Sequence, residues 1–141
     1  MLATRSLTDT GAAASAPIRA RRAQEGSAVV AVGIELSEKG DKGLVALYPL
    51  AGTSAVVEPS RTLATGIATA LMTNGLTASA STVPTDPVLS ATKAPWSRVR
   101  LGSASSPEDA ANFADPKWAD TVARSIYRAL AEIYGVKGAS R

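Results

Sequence analysis

The stretch VAVGIELS (residues 30–37) is a run of small and β-branched apolar residues with a carboxylate, Glu35, close to its end. It belongs to a longer run, residues 27–35, whose hydrophobicity is continuous rather than alternating. Continuous apolar runs of this length are typical of strands covered on both faces, as in a parallel sheet between helices. The stretch therefore predicts a buried strand with an acidic residue at its carboxyl end.

Predicted helices alternate with this strand and with two others along the chain. GLVALYP (residues 43–49) and WSRVRLG (residues 96–102) have the composition of strands. Helix signals, namely proline in a first turn or apolar residues at helical spacing, mark residues 17–26, residues 60–75 and the segments that open at Pro107 and Pro116. The sequence predicts an α/β fold, a mostly parallel twisted sheet with helices on both faces, as one domain over residues 1–141.

The final helix has the clearest pattern in the sequence. Asp115-Pro116 combines a capping residue with proline at the first helical position. An apolar stripe at helical spacing follows, formed by Trp118, Val122, Ile126, Leu130 and Ile133. This helix is expected to pack its stripe against the sheet.

Composition excludes several kinds of site. The 141 residues include no cysteine and no histidine, so thiolate metal sites and Ser-His-Asp triads cannot form within this chain alone. The net charge of +3 comes from scattered residues without an aromatic-interleaved basic motif, which argues against a nucleic-acid partner. Residues 62–85 carry no charge, but their Gly, Asn, Ser and Thr content does not suit a membrane span. The first residues lack the apolar core of a signal peptide, and the compartment stays undetermined.

Short motifs occur in a fixed order over nearly the whole chain. They are Thr4-Arg5 followed by Asp9, Arg19 placed 16 residues before Glu35, Ala23, Ala28, Gly43, Ser60 with Leu63-Ala64, VLSATKAP (residues 88–95) and the segment from RVRLG through SPED to the last helix (residues 98–135). Together these motifs resemble the zinc-dependent N-acetylmuramoyl-L-alanine amidases, which cut peptidoglycan between the lactyl group of muramic acid and the stem peptide. In that family a helix arginine precedes the end of a Ser-Ile-His-Ala-Asn strand by the interval that separates Arg19 from Glu35. The resemblance implies the amidase α/β fold, with the family's first strand and helix expected to be missing from this chain.

Two matched positions differ from the family in their chemistry. Glu35 stands where the family has a zinc-binding histidine, and Arg100 stands where it has the catalytic glutamate. We therefore expect no catalytic residue, no metal and no cofactor, with Glu35 and Arg100 as degenerate site positions. Two arrangements are open: the two side chains form an ion pair in one pocket, or they are separate charges at strand ends.

Arg19 and Trp96 are candidate ligand contacts. Arg19 shares a helix face with Arg22 and could hold an anionic ligand, although solvated helix charge is the simpler interpretation. Trp96 could stack on a sugar if it is exposed, or it could pack in the core. Neither alternative can be decided from the residues alone.

The function expected from the resemblance is that of an inactive amidase-like domain with a binding, structural or assembly role. Peptidoglycan or a protein is the expected partner, a cell-wall or phage-associated setting is compatible with the resemblance, and a sheet edge left open predicts homo-oligomerisation. The alternative is an active peptidoglycan amidase whose metal-bearing half lies on another polypeptide. An unrelated α/β binding domain is the third alternative.

Overall fold

A four-stranded mixed sheet organises the protein, and helices lie on both of its faces. The computed structural model describes residues 15–135, so the Thr4-Arg5 motif falls outside the described residues. Along the chain the elements are α1 (Ala16–Glu25), β1 (Ala31–Glu35), β2 (Leu44–Pro49), α2 (Ser54–Thr73), β3 (Ala78–Val83), α3 (Pro87–Ser90), β4 (Trp96–Arg100), α4 (Pro107–Phe113) and α5 (Pro116–Tyr134). The predicted α/β fold is confirmed.

Strand β4 lies in the interior of the sheet, whose strand order is β1-β4-β2-β3. β1 pairs with β4 in parallel, and β2 pairs with β3 in parallel. The central pair, β2 with β4, is antiparallel. Two of the three pairings are thus parallel, and the antiparallel one was not anticipated because β2 is followed by a helix, as parallel strands usually are.

The main core fills the space between one face of the sheet and helices α2 and α5. Val99 and Ala46, which are register partners on β4 and β2, are fully buried there. Apolar residues at helical spacing meet them, since helix side chains three and four positions apart share a face. The buried members of this cluster from the two helices are Leu63, Ala64, Ile67, Ala70, Leu71, Val122, Ile126 and Ala129. The predicted stripe of the last helix is confirmed at its centre.

The second face of the sheet carries the short helix α3, which contacts β1, β4 and α1. A Cβ placed on Gly33 of β1 would lie 3.2 Å from Cδ1 of Leu89, so α3 approaches the sheet closely at this glycine. Trp96 lies on this face, because its parity on β4 is opposite to that of Val99. It is only 1% exposed.

Helix α2 begins earlier than its proline signal suggested. It starts at Ser54, which places Pro59 and Ser60 inside the helix rather than at its cap. The hydroxyl of Ser60 is fully buried and accepts a hydrogen bond of 2.9 Å from the backbone N–H of Trp96. Ser60 therefore fastens α2 to the start of β4 and does not cap the helix.

Both outer strands of the described sheet are open on one side. Near β1 the exposed apolar side chains are Val29, Ile34 and Leu36. β3 is formed by small residues that are largely exposed. No helix within residues 15–135 is both long enough and apolar enough to cross a bilayer.

The core contacts of α2 predict a large cost for truncating Leu63. Leu63→Ala removes a fully buried side chain between α2 and the sheet, so we expect the free energy of unfolding to fall by about 2–5 kcal/mol. Chemical denaturation followed by circular dichroism measures this change. Met72→Ala, on the same helix but 50% exposed, is the matched control, and it is expected to change stability by less than about 1 kcal/mol. Equal effects of the two substitutions would contradict the assigned packing.

Candidate functional site

The candidate site lies where β1 and β4 end side by side. Their parallel register pairs Gly33 with Arg98 and Glu35 with Arg100. Residues two apart on a strand share a face, so Glu35, Arg98 and Arg100 project from the same side of the sheet. The expectation that Glu35 and Arg100 converge at neighbouring strand ends is therefore met by the backbone.

Glu35 forms its ion pair with Arg98 rather than with Arg100. The Nε atom of Arg98 lies 3.0 Å from Oε1 of Glu35. The angles of this contact fall short of a hydrogen bond, so the interaction is chiefly electrostatic. The aliphatic stem of Arg98 lies beside Gly33, where a Cβ would be at an ordinary contact distance of 3.6 Å from Cγ of Arg98.

A second carboxylate holds the other side of the Arg98 guanidinium. Oδ2 of Asp86 lies 3.3 Å from Nη1 of Arg98. Oδ1 of Asp86 caps α3 by accepting hydrogen bonds of 2.9 Å from the backbone N–H groups of Val88 and Leu89. Both oxygens of Asp86 are thus engaged, and Arg98 links the end of β1 to the start of α3.

Arg100 pairs with Asp41, which belongs to the loop between β1 and β2. The Nη1 atom of Arg100 donates to Oδ2 of Asp41 at 3.0 Å. The backbone N–H of Asp41 donates to the hydroxyl of Ser37 at 3.0 Å, and the backbone N–H of Ser37 donates to the carbonyl of Gly102 at 2.7 Å. The Nε atom of Arg100 is buried and has no hydrogen-bond partner within residues 15–135.

Of the two arrangements that the sequence left open, the Glu35–Arg100 ion pair does not form, although the two residues are register neighbours. Each finds its partner elsewhere because two arginines, Arg98 and Arg100, lie on one face of β4 and compete for the carboxylates around them. The resulting ion-pair array consists of Glu35, Arg98, Asp86, Arg100 and Asp41, and the name is used for these five residues below.

Asp109 fixes the segment that follows β4. Its buried carboxylate accepts hydrogen bonds from the backbone N–H groups of Ser103, at 3.0 Å, and Gly43, at 3.2 Å. Gly102, with φ of +119°, leaves the space for this carboxylate, since a Cβ there would lie 2.5 Å from Oδ2 of Asp109. Through these two hydrogen bonds Asp109 connects the residue before β2 to the segment that follows β4. Asp109 belongs to the SPED motif, which predicted a helix start but not these hydrogen bonds to the backbone of Ser103 and Gly43.

The two candidate ligand contacts have different outcomes. Trp96 is buried, so the expectation of an exposed ring that stacks on a sugar is wrong, and the alternative of core packing is confirmed. Arg19 lies on α1 and is partly buried, and its Nε atom has no hydrogen-bond partner in the described part of the chain. A role of Arg19 in ligand binding stays a prediction.

The residues at the strand ends do not fit the zinc ion that the amidase resemblance implies. Zinc needs three protein ligands and, for catalysis, a fourth position open to water. Within residues 15–135 no group of three or more His, Cys, Asp and Glu side chains is placed to hold a metal ion. Glu35 is already paired with Arg98, and the positive charge of Arg100 beside it would oppose a bound cation.

A separate groove of about 240 Å³ lies between α2 and α5, on the opposite side of the sheet. Its charged residues, Arg128 and Glu132, pair with each other at 2.9 Å on the surface of α5. The groove therefore offers no unpaired ionisable group, and the ion-pair array remains the candidate site.

Comparison with solved structures identifies the fold. The N-acetylmuramoyl-L-alanine amidase of Clostridium difficile 630 superposes with a TM-score of 0.69 at 21% identity, over 88% of this chain and 67% of that one. For the catalytic domain of CwlV, the amidase from Bacillus (Paenibacillus) polymyxa var. colistinus, the TM-score is 0.68 at 23% identity, over 87% and 67% of the two chains. The CwlD amidase of Clostridioides difficile, solved in complex with the GerS lipoprotein, has a TM-score of 0.65 at 18% identity, over 86% of this chain and 62% of that one.

These similarities confirm the predicted amidase-like fold. Because the identities are below 25%, they establish the fold and nothing about activity. The chain spans 62 to 67% of the length of the three structures. No protein-family model matches the sequence. No curated protein matches it either.

The double engagement of Arg98 predicts that this residue contributes to stability more than an exposed arginine does. Arg98→Gln removes the cation shared by Glu35 and Asp86, and we expect the free energy of unfolding to fall by about 1–2 kcal/mol. The matched control is Arg128→Gln, which breaks an exposed ion pair on α5 and should cost less than about 0.5 kcal/mol. Urea denaturation of both variants measures the difference. A cost for Arg98→Gln no larger than that of the control would show that the array is not structural.

Proposed function

We propose that this domain uses an amidase fold for binding rather than for cleavage, with peptidoglycan as the ligand. The observation that carries the proposal is the ion-pair array at the ends of β1 and β4. At the two positions where the amidase resemblance implies a zinc ligand and a catalytic carboxylate, the chain has Glu35 held by Arg98 and Arg100 held by Asp41. The residue at each of these two positions therefore already has a partner of opposite charge.

The chemistry of amide hydrolysis supports the same proposal. A zinc amidase activates a water molecule on the metal, and a carboxylate takes the proton from that water. Arg100 cannot take a proton at any physiological pH, because its guanidinium stays charged. Glu35 could offer one oxygen ligand, but only after its ion pair with Arg98 is broken. One carboxylate is not a metal site.

Association with another protein, or with a second copy of this chain, is the second candidate role. The observation that favours it is the open edge of β1, where Ile34 is 62% exposed and Val29 is 73% exposed. The only charge on β1 is Glu35, which Arg98 neutralises, so this edge lacks the charged side chains that commonly prevent pairing with another strand. Strand addition at β1 would cover these residues.

Three measurements on the purified protein test the proposal together. We expect sedimentation with insoluble peptidoglycan, no stoichiometric zinc by elemental analysis and no release of stem peptide from the wall polymer. The Met72→Ala variant, altered at an exposed residue of α2 remote from the array, should sediment like the unchanged protein.

Other outcomes separate the alternatives. Stoichiometric zinc with release of stem peptides would overturn the proposal in favour of an active amidase. Failure to sediment with peptidoglycan, together with a concentration-dependent increase in molar mass by light scattering, would instead support the assembly role and contradict wall binding.

A further inference from the structure

Arg100 has an unusual position among the charged residues of the array. Arg98 is held by two carboxylates, whereas among the described residues the carboxylate in ion-pair contact with Arg100 is that of Asp41. The side chain of Asp41 is 51% exposed, compared with 15% for Asp86. The partner of Arg100 is thus the carboxylate of the array most accessible to water.

The segment that carries Asp41 is anchored at both ends. At one end the N–H of Ser37 bonds to the carbonyl of Gly102, and at the other the N–H of Gly43 bonds to Asp109. Residues 38–42, called the strap below, are all exposed. Gly40 and Gly43 have φ of +80° and +76°, values that glycine adopts without strain. Lifting the strap breaks the hydrogen bonds that Asp41 makes with Ser37 and Arg100, but it leaves the two anchors in place.

Asp41 presents to Arg100 the chemical group that a carboxylate ligand would present. We propose that Arg100 is a binding site for the free carboxylate of a short peptide, and that Asp41 on the strap occupies this site until a ligand carboxylate displaces it. The guanidinium fork is suited to planar carboxylates, which it can bind through two parallel hydrogen bonds. The exchange replaces one carboxylate with another, so no buried charge is left unpaired.

The hydrogen-bond capacity of Arg100 supports this assignment. Its Nε atom is buried without a partner in residues 15–135, and the hydrogen bond to Asp41 uses Nη1. Displacing Asp41 frees the Nη1 donor for a ligand carboxylate, whereas the buried Nε atom is not accessible to solvent while the strap is closed. The side chain is 22% exposed, which gives a ligand access from the solvent side of the sheet.

Carboxylate binding by Arg100 does not depend on peptidoglycan binding, but identifying the peptide as a wall stem peptide rests on the proposed function. The probe is N-acetyl-D-alanyl-D-alanine, with its C-terminal amide as the uncharged equivalent and inorganic phosphate as the non-planar anion. NMR titration of the arginine Nε–Hε signals reports binding at the guanidinium itself, and Arg100→Lys assigns the Arg100 signal by removing it.

We expect the acid to shift the Arg100 signal and the amide to leave it unchanged. Asp41→Asn removes the internal competitor, so saturation should occur at about two- to fivefold lower probe concentration, since an exposed ion pair contributes up to about 1 kcal/mol. Asp120→Asn breaks a comparable exposed pair with Arg124 on α5 and should not alter the titration. Arg100→Lys, titrated through the backbone amide signals of the strap, should lose most of the affinity, because an ammonium lacks the planar fork of a guanidinium.

Three results would overturn the inference: no shift of the Arg100 signal in the Asp41→Asn protein at millimolar probe, equal shifts with acid and amide, or weaker binding after Asp41→Asn. A response to phosphate as strong as the response to the acid would overturn the carboxylate assignment. If the peptide binds and whole peptidoglycan does not, the proposed function fails while this inference stands. If whole peptidoglycan binds and the peptide does not, this inference fails while the proposed function stands.

Discussion

The interior strand β4 is the element on which the rest of the structure depends. It pairs in parallel with β1 on one side and antiparallel with β2 on the other, so both of its edges are satisfied. Alternation along the strand then sorts its side chains, with Val99 in the main core and Arg98 and Arg100 on the opposite face. Two adjacent cations on a partly buried face require compensation, and it comes from three separate elements: the end of β1, the cap of α3 and the β1–β2 loop.

The positions at which the sequence resembles the amidases are largely positions that hold this sheet together. Ser60 bonds to the start of β4, and Leu63 lies in the core directly above the sheet. Gly102 leaves the space that the carboxylate of Asp109 needs beyond the end of β4. Such contacts preserve a fold irrespective of its chemistry. This is why the fold could be predicted from short motifs, and why the same motifs say little about function.

Elements with strong local signals could be predicted from the sequence. The last helix is an example, since Asp115 caps it by accepting from the N–H of Lys117 and its apolar stripe faces the core. β3 was missed because its small, exposed residues have no apolar pattern at an open edge. The partner of Glu35 could not be decided from the sequence for a different reason: the register brings Arg100 beside it, but the structure pairs Glu35 with Arg98 and Arg100 with Asp41. Such a choice between two arginines depends on tertiary contacts that local sequence does not encode.

The array also explains why one substitution would not recreate a metal centre at this place. A histidine at position 35 would remove one of the two anionic partners of Arg98 and leave that guanidinium facing the new imidazole. Arg100 would still place a positive charge beside any bound cation, and Asp41 is committed to neutralising it. The two arginines and their three carboxylates lie close together on a partly buried face, so removing Arg98 leaves two carboxylates without their shared cation and removing Asp41 leaves Arg100 without its partner. The electrostatics of the strand ends are therefore coupled as a set.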